Sequence, residues 1–160
     1  MNVDENKISL LRQREIEIRV IAPLIRAFAE EFGEEKTYGT VRKVMESLAL
    51  SAGKSAALAN GNGLDSMKEN CIKNWNSDGA LAIDTIEETD RTLRFNVTRC
   101  RFAELYRELG YGDIGELVSC DRDIAFIKGF DPNIEFTRTK TIMGGADICD
   151  FCYKEKEEKC

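Results

Sequence analysis

Apolar residues recur at helical spacing through the first half of the chain and at strand spacing through much of the second. From Lys7 to Phe32 the residues Ile8, Leu11, Ile18, Ile21, Ile25, Phe28 and Phe32 return mainly every three or four positions, which predicts one long amphipathic helix with Gly33 as its C-terminal cap. Pro23 lies inside it and lacks the N–H that would bond one turn back, so a kink is expected there. A second helix is predicted from about Thr40 to Asn60, with Val41, Val44, Leu48, Ala52, Ala56 and Ala59 as its buried stripe. Its many alanines suit close helix packing. A third helix runs from about Asp65 to Asn76 with Met67, Cys71, Ile72 and Trp75 on one face, and Cys71 is expected in the core as a small apolar residue.

The period then changes to two. Ala80 to Thr89 and Thr92 to Arg99 read as strands joined through Thr89-Asp90-Arg91, an antiparallel hairpin. In the second strand Leu93, Phe95 and Val97 alternate with Arg94, Asn96 and Thr98, so one face meets the core and the polar face can floor a pocket. Two short helices follow, Arg101 to Leu109 and Asp121 to Lys128. A strand from Ile134 to Ile142 is expected to place Thr137, Thr139 and Thr141 on one face, and the flexible Gly144-Gly145 turn leads into a last strand, Ile148 to Tyr153. This order predicts an α+β domain: N-terminal helices packed on a mostly antiparallel four-stranded sheet, with two short helices between the strand pairs. Residues 1–153 form a single domain in this reading, and residues 154–160, ending in Cys160, form a solvated charged tail.

Composition narrows the chemistry. The 160-residue chain contains six cysteines and no histidine, so a reactive site must run on thiols and carboxylates without an imidazole base or ligand. A net charge of −6 without a basic block disfavours nucleic acid, and the absence of a signal-like start or a long apolar run points to a cytoplasmic protein with no membrane span and with reduced thiols. No cofactor and no metal is expected. Cys149-x-x-Cys152 has zinc-like spacing but lacks a second such pair, and its two cysteines face opposite sides of a strand. The apolar stripe of the first helix can serve a homodimer as readily as its own core.

Cys100 and Cys120 each precede a predicted helix, where free N–H groups and the helix dipole favour a thiolate. Arg99 and Arg101 flank Cys100. Asp121 and Asp123 follow Cys120, opposing its ionisation while offering acid–base groups. Cys149 sits on the last strand, just after the glycine pair, with Asp150 on the opposite face.

The runs Asn96-Val97-Thr98-Arg99-Cys100-Arg101-Phe102-Ala103-Glu104, Ser119-Cys120-Asp121-Arg122-Asp123 and Arg138-Thr139-Lys140-Thr141-Ile142-Met143-Gly144-Gly145-Ala146, with Cys149-Asp150-Phe151 after them, resemble the L-2-amino-thiazoline-4-carboxylic acid hydrolase family. The resemblance spans nearly the whole chain, including Ala22-Pro23-Leu24 and Trp75. It implies a hydrolase acting on carbon–nitrogen bonds of a small cyclic amidine-like substrate, opening a thiazoline ring toward a carbamoyl-cysteine. On that reading Cys100 or Cys120 is the nucleophile, Asp121 or Asp123 handles protons, and Cys149 with Asp150 completes the pocket. Arg99, Arg101 or Arg138 binds the substrate carboxylate, and Thr139 and Thr141 donate neutral hydrogen bonds. The alternative class is a sensory module of similar fold, akin to 4-vinyl reductase-type domains, that binds a small molecule or metal without catalysis.

Overall fold

A computed structural model describes residues 8–156; Lys7 at the predicted helix start and Cys160 in the predicted tail lie outside the described residues. Helix α1 (Leu10–Phe32) starts at Ser9, whose side chain accepts the Arg12 amide, and runs unbroken through Pro23. Gly33, at φ +88°, closes it through a bond from its own N–H to the Ala29 carbonyl. Only Gly33 separates α1 from α2 (Glu34–Asn60), which therefore begins a turn and a half before the predicted Thr40. The buried Thr37 hydroxyl donates to the Phe28 carbonyl at 3.0 Å and ties the junction together.

The buried face of α2 is not the predicted one. Val44 and Leu48 are about half exposed, whereas Thr37, Met45, Ala49 and Gly53 face inward. Backbone proximity decides this rather than side-chain size. A methyl on Gly53 would overlap the Phe126 carbonyl oxygen and stand 2.8 Å from the Phe130 nitrogen, and one on Gly129 would overlap the Leu50 carbonyl. Two glycines thus let α2 and α5 (Arg122–Phe130) cross in backbone contact, closer than the predicted alanines would allow.

Between these elements, α3 (residues 64–75) contains a π-helical stretch, Met67–Ile72, and buries Met67, Cys71 and Ile72 as expected. Trp75 meets Phe126 edge-on at 5.3 Å. Strands β1 (Leu81–Glu88) and β2 (Thr92–Cys100) form the predicted hairpin. Helix α4 (Arg101–Glu108) follows without a gap, then a π-turn, Glu116–Cys120, leads into α5.

Strand β3 (Ile134–Thr137) stops five residues before its predicted end, and β4 (Cys149–Glu155) runs two residues past Tyr153 into the segment read as tail. The sheet order is β1-β2-β4-β3, antiparallel throughout, so the α+β prediction holds. Leu93, Phe95 and Val97 pair with Tyr153, Phe151 and Cys149 on the inner face, and Arg94 and Asn96 pair with Cys152 and Asp150 on the outer. Residues 138–148, expected to hold a strand end and a flexible glycine turn, form a closely bonded loop. Ala146 N–H reaches the Thr141 carbonyl, Gly144 N–H the Thr141 hydroxyl, and the Arg107 guanidinium the Ile142 carbonyl.

Candidate functional site

Cys100 ends β2 and caps α4, Cys120 ends the π-turn, Asp123 lies in the first turn of α5, Arg138 follows β3, and Cys149 opens β4. These five, scattered through the sequence, converge at the helix–sheet interface. The Arg138 guanidinium donates to the Asp123 carboxylate and to the Cys120 carbonyl, the latter at 3.1 Å. It lies over the Phe136 and Phe151 rings, 5.9 and 5.4 Å from their centroids. That places a cation on the aromatic inner face of the sheet. Arg138 is 10% exposed and Asp123 24%, so the carboxylate is the member of the pair that retains an opening to solvent.

The charges of this cluster act on one another. Burial pushes the Cys120 thiol well above the ordinary value; neighbouring Asp123 pushes it further and Arg138 pulls it back. Burial also raises Cys100 against the amides of Ala103 and Phe102, and raises Cys149 against the Ile142 N–H, which donates to its sulfur at 3.1 Å. The expected acidic thiols at Cys100 and Cys120 are therefore corrected, because desolvation outweighs the helix N-terminus. The near-neutral group is instead Asp123, which burial raises to about 6 against the attraction of Arg138. A carboxyl held there can take and return protons near neutral pH.

The remaining candidates lie apart from the cluster. Asp121 pairs with Arg42 at 3.2 Å, Arg99 grips Glu104 through two bonds of 2.7 and 3.0 Å, and Arg101 donates to the Asp78 carbonyl. Asp150 faces the outer side of the sheet. Its burial is outweighed by the Thr139 hydroxyl and the Thr139 and Lys140 amides, which hold it below the usual carboxylate range. Thr141 is buried and donates to Glu116. Thr139 and Thr141 are thus loop staples and do not stand on a sheet floor, because β3 ends before them. The polar outer face does floor a depression of about 360 Å³, lined by Arg94, Asn96, Thr137, Cys152 and the predicted Thr139 and Asp150, but the three clustered thiols lie on the other side of the sheet. Cys149 and Cys152 face opposite sides, as predicted for a strand, and no group of three metal-ligating side chains forms among the described residues.

Two tyrosines that the sequence reading places in a helix and at a strand end, with no functional role, lie in the interior. Tyr106 is buried against the first-helix core, with its phenol pushed up to about 12 by burial. Tyr153 is fully buried, stacks on Phe136 at 4.9 Å, and its hydroxyl has no hydrogen-bond partner among the described residues. Its position in register with inward Cys149 and Phe151 was the available signal. An orphaned buried hydroxyl costs about 1–3 kcal/mol. Tyr153→Phe is accordingly expected to raise the unfolding free energy by about 1 kcal/mol or more, read by urea denaturation. Destabilisation would show that the hydroxyl is already satisfied. Both π-helical stretches, Met67–Ile72 and Glu116–Cys120, supply a cysteine to this interior, and such stretches concentrate at functional sites.

The family model described as L-2-amino-thiazoline-4-carboxylic acid hydrolase matches residues 13–153. Among solved structures, the chain is similar to the phenol-responsive sensory domain of the transcription activator PoxR with phenol. The TM-score is 0.53 at 9% identity, over 84% of this chain and 72% of that one, a likeness of fold. No curated protein matches the chain. No described helix is long and apolar enough to cross a membrane.

Proposed function

The chain belongs to the L-2-amino-thiazoline-4-carboxylic acid hydrolase family, and on that premise we propose that it is a hydrolase acting on the carbon–nitrogen unit of a small cyclic amidine, with Cys120 as nucleophile and Asp123 as its proton carrier. The observation that carries this reading is the Asp123 carboxyl, raised to about 6 by burial and bonded to the same Arg138 guanidinium that holds the Cys120 carbonyl. A thiol that is not acidic by itself needs a nearby base, and in this reading Asp123, whose charge acts on Cys120, takes that role.

The Cys120 sulfur bonds to the amidine carbon as its proton passes to Asp123. Asp123 returns that proton to the departing ring sulfur, and the ring carbon–sulfur bond breaks. Water then adds to the same carbon, one of its protons passing to Asp123 and the other to the former ring nitrogen, and Cys120 leaves as a thiol with the Asp123 proton restored. One water is consumed and a carbamoyl group remains on the former ring nitrogen. Arg138, over its aromatic floor, holds the Asp123 carboxylate and the Cys120 carbonyl together. Cys100 and Cys149 lie near Cys120, whose thiol their charges would push up further. Asp121, Asp150, Arg99, Arg101, Thr139 and Thr141, with other partners in the structure, play no part in this scheme.

The test is turnover of L-2-amino-thiazoline-4-carboxylate, followed by mass spectrometry of the carbamoyl product, in wild type and in Cys100→Ser, Cys120→Ser and Cys149→Ser. Loss of about 10²-fold or more at Cys120, with losses below about tenfold at the other two, is expected. Equal activity in all three variants would rule out the thiol route, and an inactive folded wild type would end the assignment to this substrate.

A further inference from the structure

Arg122 opens α5, two residues after Cys120, and is half-buried, yet among the described residues its guanidinium forms no ion pair and no hydrogen bond. Its nitrogens are not sealed from solvent, since Ser77 Oγ and the Tyr153 hydroxyl are the described side-chain atoms that are both buried and unpartnered. A guanidinium carries five N–H donors and stays charged, so one that is partly desolvated without a counter-ion costs free energy.

The carboxylates around it are already taken. Glu17 accepts from Arg14 with one oxygen and from Gln13 with the other, Asp123 is held by Arg138, and Asp121 pairs with Arg42 at 3.2 Å. What stands near Arg122 is a second cation, Arg14 of α1, whose side chain is 16% exposed. Burial, and then the Arg14 charge, push Arg122 below the ordinary arginine value, while Glu17, Tyr106 and Asp123 pull it back. Arg14 and Arg122 also act on the buried Tyr106 phenol of α4, as does Cys120, so two guanidinium groups from different helices and the thiol share one neighbourhood. In a chain of net charge −6, this corner holds Arg14, Arg42, Arg122 and Arg138 against Glu17, Asp121 and Asp123, an excess of one cation.

We infer that Arg122, with Arg14 beside it, binds the carboxylate of the substrate, so that the site selects small cyclic amidines that carry one. The inference rests on the hydrolase reading, which leaves the substrate carboxylate without an anchor: Arg138 is occupied by Asp123 and the Cys120 carbonyl, Arg99 by Glu104 and Arg101 by the Asp78 carbonyl. In L-2-amino-thiazoline-4-carboxylate a single ring nitrogen separates the attacked carbon from the carbon that bears the carboxylate. The anchor therefore has to stand close to the nucleophile, as Arg122 does. A carboxylate there gives the guanidinium fork its missing acceptor and cancels the repulsion between the two arginines.

Binding and turnover are measured separately. Thiazolidine-4-carboxylate has the ring and the carboxylate but no amidine carbon to attack, so calorimetry reads the anion contact whether or not the protein is a hydrolase. Wild type is expected to bind it about 10–100-fold more tightly than thiazolidine, and Arg122→Gln to lose that preference. The variant should unfold at a urea midpoint no lower than wild type, because it removes a charge that has no partner. In turnover, Arg122→Gln should raise KM for L-2-amino-thiazoline-4-carboxylate by about 10–100-fold with kcat little changed, whereas 2-amino-thiazoline, which lacks the carboxylate, should react alike in both proteins. A wild type without preference for the carboxylate, a preference that survives in Arg122→Gln, or a destabilised variant would overturn the inference. A preference lost in Arg122→Gln alongside a wild type that turns over neither compound would uphold the anion site and count against the hydrolase reading alone.

Discussion

Asp123→Asn is expected to lower turnover of the cyclic amidine by about 10²–10⁴-fold while leaving the fold intact. Asparagine keeps an oxygen for Arg138 but cannot carry the proton, so the loss should fall on the chemical step. The wild-type rate should rise with pH through about 6, where Asp123 becomes the carboxylate that accepts a proton. Stability should move the other way. The folded pKa lies above the ordinary 3.8 of an unfolded aspartate, so the folded state holds a proton through the window from about 4 to 6 that the unfolded chain has lost. The stabilising contribution is complete below that window and is lost as pH rises through it. Thermal unfolding between pH 4 and 7, compared with the rate profile, checks both slopes. The asparagine variant should be flatter in each, and an unchanged rate profile would remove Asp123 from catalysis.

Gly53→Ala and Gly129→Ala are each expected to lower the unfolding free energy by about 1–3 kcal/mol. The sign is the informative part, since alanine inside a helix is ordinarily better than glycine by about 0.5–1 kcal/mol. Gly39, on the same helix with nothing within 4 Å of an added methyl, supplies the control and should become more stable as alanine. At Gly53 and Gly129 the added methyl meets backbone, which cannot rotate away as a side chain can. Because α5 carries Asp123, separating the two helices also displaces the carboxylate from Arg138, and turnover should fall with stability. Urea denaturation of the three single variants reads the energies directly. A stabilised Gly53→Ala would mean that the helices do not meet through backbone.

Much of this was legible in the residues themselves. Alternation along Thr92 to Arg99 and the short link at Thr89-Asp90-Arg91 specify the central hairpin locally, because a two-residue period selects a face without knowledge of its partner. Gly33 and the long apolar period likewise specified α1. The buried side of α2 was not legible: the largest apolar residues there are exposed, and the closest approach uses Gly53, which has no hydrophobic signature. The end of β3 was also hidden, since Thr139 and Thr141 have strand propensity but are drawn off by Asp150 and Glu116. Proton affinity was the furthest out of reach. Local sequence predicts a thiolate from a helix start and flanking arginines, but an ionisable group responds to everything packed around it. Sequence alone determined which thiols and carboxylates this protein possesses and which elements carry them; only the tertiary structure, by removing water from Cys120 and setting Asp123 beside Arg138, decided that a carboxyl titrates near neutrality and the thiols do not.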